Sequence, residues 1–414
     1  MNKALGDRTT LDTVSHLNGS VSCFAVLRLD ATASTGSCEP SNVVLASGAH
    51  DGKLRLWRLN ATEEVEVYDQ QNDPPPQLLP FGTVTMSADD RSIFSLQCIG
   101  RELWVGRGKS RQAECWEYDD GELKAKLKDA RKAGPTELSG DGMRKKYDMP
   151  DHTGWVRSIS SCGDLVFTCG CNFIKVWRHK GEEVEHVGDL ESDADILSLC
   201  CSPDLLFSGD IRGRIWVWDI RPLLQGGQDV QAVKPCIVQA HDGRITGMKW
   251  SPREAEGESG QDMLFSCSHD GFLKCWNPSE EGSLVGGGSS SAMTLKLVAE
   301  ANALKGMGIL ARDWERLLSM EISPPGTGKV IQGNMNRLSG HYLYLGTSGG
   351  TILVYDRTLK DGELQMVQVS PKMIDLVGGG KISAMLAIPW ANRPGKILFL
   401  GTDTGKILPW RPVH

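Results

Sequence analysis

Between His241 and Trp276 the chain alternates short apolar runs with turn signals: His241-Asp242-Gly243, Ile245–Ser251 closed by Pro252, Met263–Ser268, Asp270-Gly271 and Phe272–Trp276. Short runs broken by Asp-Gly and Ser-Pro indicate strands joined by tight turns rather than helices. Asp270-Gly271 is a strong hairpin signal, because Asp and Gly tolerate the positive φ of a two-residue turn. Val44–Trp57 repeats the same pattern, with Asp51-Gly52 in the turn. One such unit cannot bury both of its faces, so the chain must stack several.

Further units follow the same order. One opens at His152, runs Val156–Ser160 and closes at Phe173–Trp177; another runs Ile196–Pro203, Leu205–Gly209 and Arg214–Asp219. Three are degenerate, through Ser92–Trp116, Tyr342–Asp356 and Ile382–Trp410. The order His-Asp-Gly, strand, Ser-Pro, strand, Ser-x-Asp-Gly, strand, Trp resembles the WD repeat, one four-stranded blade of a β-propeller. The resemblance spans residues 9–413, leaving a short tail at 1–8, and implies an all-β fold, a single seven-bladed ring. Its units end near Trp57, Trp116, Trp177, Trp218, Trp276, Tyr355 and Trp410. Their mean spacing, (410 − 57)/6, is about 59 residues, longer than a minimal blade.

The excess falls in insertions at 61–90, 123–151, 223–233, 254–261, 282–291 and 300–316, expected to be exposed loops, with one short helix within 301–318. The last unit stops four residues after Trp410, while Thr9–Val14 precedes the first His without a blade of its own. The N-terminal segment is therefore expected to supply the outer strand of the last blade, removing an exposed sheet edge.

Net charge is −7 with a pI near 5.8, which argues against a generally basic nucleic-acid surface. The 12 cysteines are scattered, mostly inside strand-like runs, and fit small reduced hydrophobes rather than a disulfide framework or zinc site. Neither a signal-peptide pattern nor an 18-residue apolar run is present, so a cytoplasmic or nuclear protein without membrane contact is expected.

His241, Ser266, Asp270 and Trp276 mimic a hydrolase triad, but His16, Ser47, Asp51 and Trp57 repeat the set in another unit. Recurrence favours structure: in WD repeats the matching residues form a hydrogen-bonded chain inside the blade, so that buried polar groups satisfy one another. His152, Trp177 and Trp218 take the same places. Ser323–Val330 imitates a phosphate-binding loop, with Ser323 in place of the first Gly and Val330 in place of the Mg²⁺-binding hydroxyl. A plain loop is expected, and no cofactor.

Trp155, Arg157 and Arg244 fall at the start of the first strand of their units, and His50 and His269 one residue before the turn Asp. In propellers such positions line one face around the central channel, and Trp and Arg are enriched at binding hot spots. Residues 123–151 carry eight basic residues, with Leu123–Lys128 read as a strand and Arg144, Lys145 and Lys146 as the end of a flexible loop. That loop is a docking patch candidate for an acidic protein or RNA. The expectation is a non-catalytic scaffold whose partners are other proteins of a complex. The alternative is an RNA-binding subunit of a ribonucleoprotein, with a propeller-based enzyme third.

Overall fold

The computed structural model describes residues 14–15, 19–29, 43–60, 77–85, 92–125, 142–149, 152–227, 229–252, 262–281, 292–305, 314–323, 342–360, 363–368, 374–375, 380–389 and 396–410. They form seven antiparallel sheets. The inner strands are Val21–Arg28, Ile93–Ile99, Val156–Cys162, Ile196–Cys201, Ile245–Ser251, Leu317–Ile322 and Ile382–Pro389. Each contacts the next, and the last returns to the first, so the sheets close into one ring: a β-propeller of seven blades.

Blades 1 to 6 take their strands in sequence order from the inside outward. Blade 7 has three strands from the C-terminal end, and its outer strand is Val14–Ser15, paired antiparallel with Ile407 and Lys406. The N-terminal closure expected from the sequence is therefore present at Val14; residues 9–13 lie outside the described set. In blade 6, Ile374–Asp375 adds a short fifth strand against Thr351–Ile352.

Blades stack face on face, so second strands such as Val43–Ala49, Leu165–Gly170 and Met263–Ser268 are buried throughout. Side chains such as Phe167, Phe207, Phe265 and Phe399 fill the gaps between neighbours, each contributing about 1.5–3 kcal/mol through burial. All seven inner strands carry a register shift at their start, between Val21 and Cys23, Ile93 and Ser95, and the equivalent pairs. Such bulges bend and re-aim a strand, here at the same rim of every blade.

Close approach of neighbouring blades fixes one residue per second strand. A Cβ on Gly106 would lie 2.5 Å from Val156 O, and one on Gly209 2.7 Å from Ile245 Cγ2. Gly48, Gly346 and Gly401 meet the next blade in the same way. Blades 3 and 5 hold Cys169 and Cys267 at this place, which explains two of the buried thiols. Hydroxyls on the inner strands then tie blade to blade. Ser22 donates to Ile93 O, Ser95 to Val156 O at 3.1 Å, Thr246 to Leu317 O at 3.0 Å, Ser319 to Ile382 O at 3.0 Å and Ser383 to Val21 O.

Three details differ from the sequence reading. The outer strand of blade 2 is Met143–Met149, not 123–128; residues 120–125 form a helical turn instead. The connection 223–233 is only partly an exposed loop: Gln225, Gly226, Asp229, Gln231 and Ala232 are exposed, but Leu223, Val230 and Val233 are buried against blades 3 and 4, and Arg178 Nη2 donates to Leu223 O at 2.6 Å. At 300–316, read as an exposed loop, Glu300, Ala301 and Asn302 end a strand; the short helix expected within 301–318 falls largely on 306–313, outside the described residues.

Candidate functional site

The first candidate constellation is a structural relay in blade 5. Trp276 Nε1 donates to Ser266 Oγ at 2.8 Å, Ser266 Oγ lies 2.8 Å from His241 Nε2, and His241 Nδ1 lies 3.0 Å from Asp270 Oδ2. With the indole proton on its lone pair, the serine hydroxyl donates to Nε2. The imidazole proton then sits on Nδ1, facing the carboxylate. Burial works against the Asp270 carboxylate, but hydrogen bonds from His241, Phe272 N and Asp242 N outweigh it and hold its pKa below the ordinary value. Every group is satisfied within the blade, and Ser266 is fully buried.

Other blades hold parts of the relay. Trp57 donates to Ser47 at 2.7 Å in blade 1, where Asp51 also pairs with Arg55 at 2.7 Å; His16 lies outside the described residues. Trp218 donates to Ser208 at 3.0 Å in blade 4. In blade 3, Trp177 and His152 both reach Thr168 at 2.8 Å, but Cys171-Asn172 replaces the turn Asp, and the buried Nδ1 of His152 has no partner. In blade 2 the serine place is Val105, and Trp116 donates to Glu114 Oε2 at 2.9 Å instead.

The second constellation lies on the face where the inner strands begin, hereafter the top face. Antiparallel pairing brings the end of each second strand back to this face, as Val156 opposite Gly170 shows. His50 and Phe94 rings are 5.0 Å apart, Phe94 stacks on Trp155 at 5.1 Å, and the Arg157 guanidinium lies 4.9 Å from the Trp155 ring centre and 5.9 Å from Phe94. Blades 1, 2 and 3 thus contribute to one continuous aromatic–cation cluster. Trp155 remains 47% exposed, a large apolar surface in water. Burial lowers the His50 pKa, keeping that imidazole neutral near pH 7.

Across the ring, Arg244 Nε donates to His269 Nδ1 at 2.9 Å. Burial first, then the neighbouring Arg244 and Arg316 charges, push the His269 pKa down to about 4. Sequence reasoning named His50, Trp155 and Arg157 without seeing that Phe94 joins them, and it missed Ile211, Trp314, Arg316 and Lys381. The available signal was position: the residues directly before the inner strands are Ser20, Ser92, Trp155, Asp195, Arg244, Arg316 and Lys381.

The expected basic patch lies largely at 126–141, outside the described residues. Its last cations sit on the outer strand of blade 2 among carboxylates. Arg144 pairs with Glu117 at 2.6 Å, Lys145 with Asp148 at 2.5 Å and Glu114 at 3.4 Å, and Lys146 with Glu102 at 2.9 Å and Glu182 at 3.0 Å. Of the phosphate-loop lookalike, Ser323 is described; its N donates to Tyr342 O at 2.9 Å, extending the sheet, and 324–330 lie outside. The described cysteines are free thiols; burial pushes Cys23, Cys169, Cys200, Cys267 and Cys275 up to about 12. Among the described residues no group of three or more His, Cys, Asp or Glu is placed to hold a metal ion. Nor is any helix long and apolar enough to cross a membrane.

The WD domain, G-beta repeat family matches residues 9–58, 143–178 and 234–277. A ribosome biogenesis protein, the WDR12 homolog of Chlamydomonas reinhardtii, is 25% identical over 285 residues, 66% of this chain. The chain spans 57% of that relative's length. Among solved structures, the WD40 β-propeller domain of Doa1 superposes with a TM-score of 0.53 at 16% identity, covering 96% of this chain and 94% of that one. The computationally designed Ika8 protein gives 0.50 at 14%, covering 96% and 98%. At such identities the likeness extends to the fold alone.

Proposed function

We propose that this chain, a WD-repeat β-propeller, is a non-catalytic scaffold that holds protein partners of a larger complex on its top face. The observation that carries this reading is the exposed cluster His50–Phe94–Trp155–Arg157, built by three blades on a rigid rim. Exposed Trp and Arg side chains on a pre-organised surface are what interface hot spots are made of. The residues that imitate a triad argue the same way: in blade 5 they are buried and consumed by one another.

Likeness to a ribosome biogenesis protein supports placing that complex in ribonucleoprotein assembly, and so in the nucleus. An RNA contact of the chain itself would run through the insertion 126–141, since Arg144, Lys145 and Lys146 are engaged by carboxylates.

Affinity capture followed by cross-linking mass spectrometry tests the reading. Cross-links should concentrate on top-face residues, and Trp155→Ala should lose partners without lowering the melting temperature. Partners captured unchanged by Trp155→Ala, with cross-links confined to the outer strands, would move the interface off this face.

A further inference from the structure

Among the described residues, several cations stand at matching points around the top face, interspersed with acids such as Asp195 and Asp403. In six of the seven blades the residue before the inner strand holds an equivalent place: its carbonyl accepts from the residue that follows the second strand. His50 N donates to Ser20 O, Gly108 N to Ser92 O, Ile211 N to Asp195 O, His269 N to Arg244 O, Ser348 N to Arg316 O and Asp403 N to Lys381 O. Three successive blades, 5, 6 and 7, therefore set Arg244, Arg316 and Lys381 at matching points around the mouth of the ring.

The partners of these cations are informative. Arg157 lies over aromatic rings, Arg244 donates to a neutral imidazole, and Lys381 is exposed; among the described residues none of the three side chains forms an ion pair with a carboxylate, although Lys381 N donates to Asp403 Oδ1 at 2.8 Å. Elsewhere on the same molecule the cations find acids: Arg214 with Asp210 at 2.7 Å, Lys249 with Glu321 at 2.8 Å, Lys146 with Glu102. The chain has 52 acidic residues to 45 basic ones, so cations without carboxylate partners are not explained by a shortage of acids. Beside them stand the exposed apolar surfaces of Trp155 and Ile211, at 47% and 45%.

We infer that the top face binds an acidic peptide segment of a partner protein, its carboxylates on Arg157, Arg244 and Lys381 and an apolar side chain against Trp155. The inference rests on the scaffold reading and adds the chemistry of the partner. A guanidinium that lies over a ring keeps its N–H edge available for bidentate pairing with a carboxylate. Opposite charge also brings the segment to the mouth before the net negative remainder repels it. A peptide is favoured over single-stranded RNA for two reasons. The Trp155 ring is already engaged by Phe94 and Arg157, and no ladder of further stacking platforms follows it. Asp195, exposed on the same rim, would oppose a continuous run of phosphates, whereas a peptide can set its few carboxylates on the cations alone; Asp193 is already paired with Arg212 and Arg214.

Selection of a random dodecapeptide display library on the intact chain tests this. The enriched peptides should be rich in Asp and Glu around an aromatic or aliphatic residue. By fluorescence anisotropy the charge-reversed variant Arg157→Glu/Arg244→Glu/Lys381→Glu should bind them at least ~10-fold more weakly, with unchanged melting. A neutral or basic consensus, no recovered peptide, or binding indifferent to the reversal would overturn the inference. So would tighter binding of a dodecauridine RNA that the same variant abolishes. Capture from extract separates the two readings. If the charge-reversed variant keeps partners that Trp155→Ala loses, the scaffold stands and the acidic partner falls; if both variants keep every partner, the top-face scaffold itself falls.

Discussion

A buried polar side chain in this ring is tolerable only because a named neighbour satisfies it, and the relays show what happens when one neighbour changes. His241→Ala removes the acceptor of Ser266 and a donor to Asp270, and should cost about 1–3 kcal/mol, read as a lower melting temperature. His152 is the contrasting case. It is 3% exposed, lacks the turn Asp that faces His241, and its Nδ1 has no partner. Burial, reinforced by Lys175, pushes its pKa from 6.5 down to about 4. The unfolded chain therefore binds a proton that the folded chain refuses, so stability is intact above pH 6.5 and declines as pH falls toward 4. His152→Gln offers Thr168 a hydrogen-bond partner without titrating; its melting temperature should fall less than the wild type's between pH 7.5 and 5. Equal falls would show that His152 does not carry this dependence.

Strands and turns were legible because their signals are local: Asp-Gly between alternating apolar runs marks a hairpin wherever it occurs. The outer strand of blade 2 was misplaced because Leu123–Lys128 alternates apolar with basic residues while Met143-Arg-Lys-Lys-Tyr-Asp-Met149 does not, and Cys115 opposite Tyr147 is visible only in three dimensions. Partners of the basic residues were hidden for the same reason. Lys146 is an inter-blade residue, its ammonium held between Glu102 of blade 2 and Glu182 of blade 3, with His179 of blade 3 also 2.7 Å from Glu102. Lys146→Met should therefore destabilise by about 3–5 kcal/mol, because it leaves the buried Glu102 carboxylate short of a cation. Arg144→Ala, at an exposed pair, should leave melting almost unchanged. Comparable melting of the two variants would mean that Lys146 contributes no more than a surface lysine. The close approach of blades gives a second element-scale expectation. On Gly346 a Cβ would lie 2.6 Å from Ile382 Cγ2, so Gly346→Ala should lower melting more than Gly121→Ala, whose Cβ would meet only the end of the exposed Asp119 side chain at 3.2 Å.

Closure decides whether seven blades make one body. Six blades bring their own four main strands, but blade 7 borrows Val14–Ser15, so the first and last segments of the ring meet in one sheet. Inner-strand contacts join blade 7 to blade 1 as well, through Ser383 donating to Val21 O and the Val21 side chain against Gly401. The short outer strand is therefore not the only tie, and its loss should open an edge rather than unwind the ring. Deleting residues 1–15 removes the strand paired with Lys406 and Ile407 and uncovers their edge, a template for pairing with another chain. The truncated protein should keep its β-sheet circular dichroism yet melt earlier and elute as concentration-dependent oligomers in size exclusion. Adding a synthetic peptide of residues 9–18 should restore the monomer by refilling the vacant strand position. A truncation that stays monomeric and equally stable would mean that the inner-strand contacts alone close the ring.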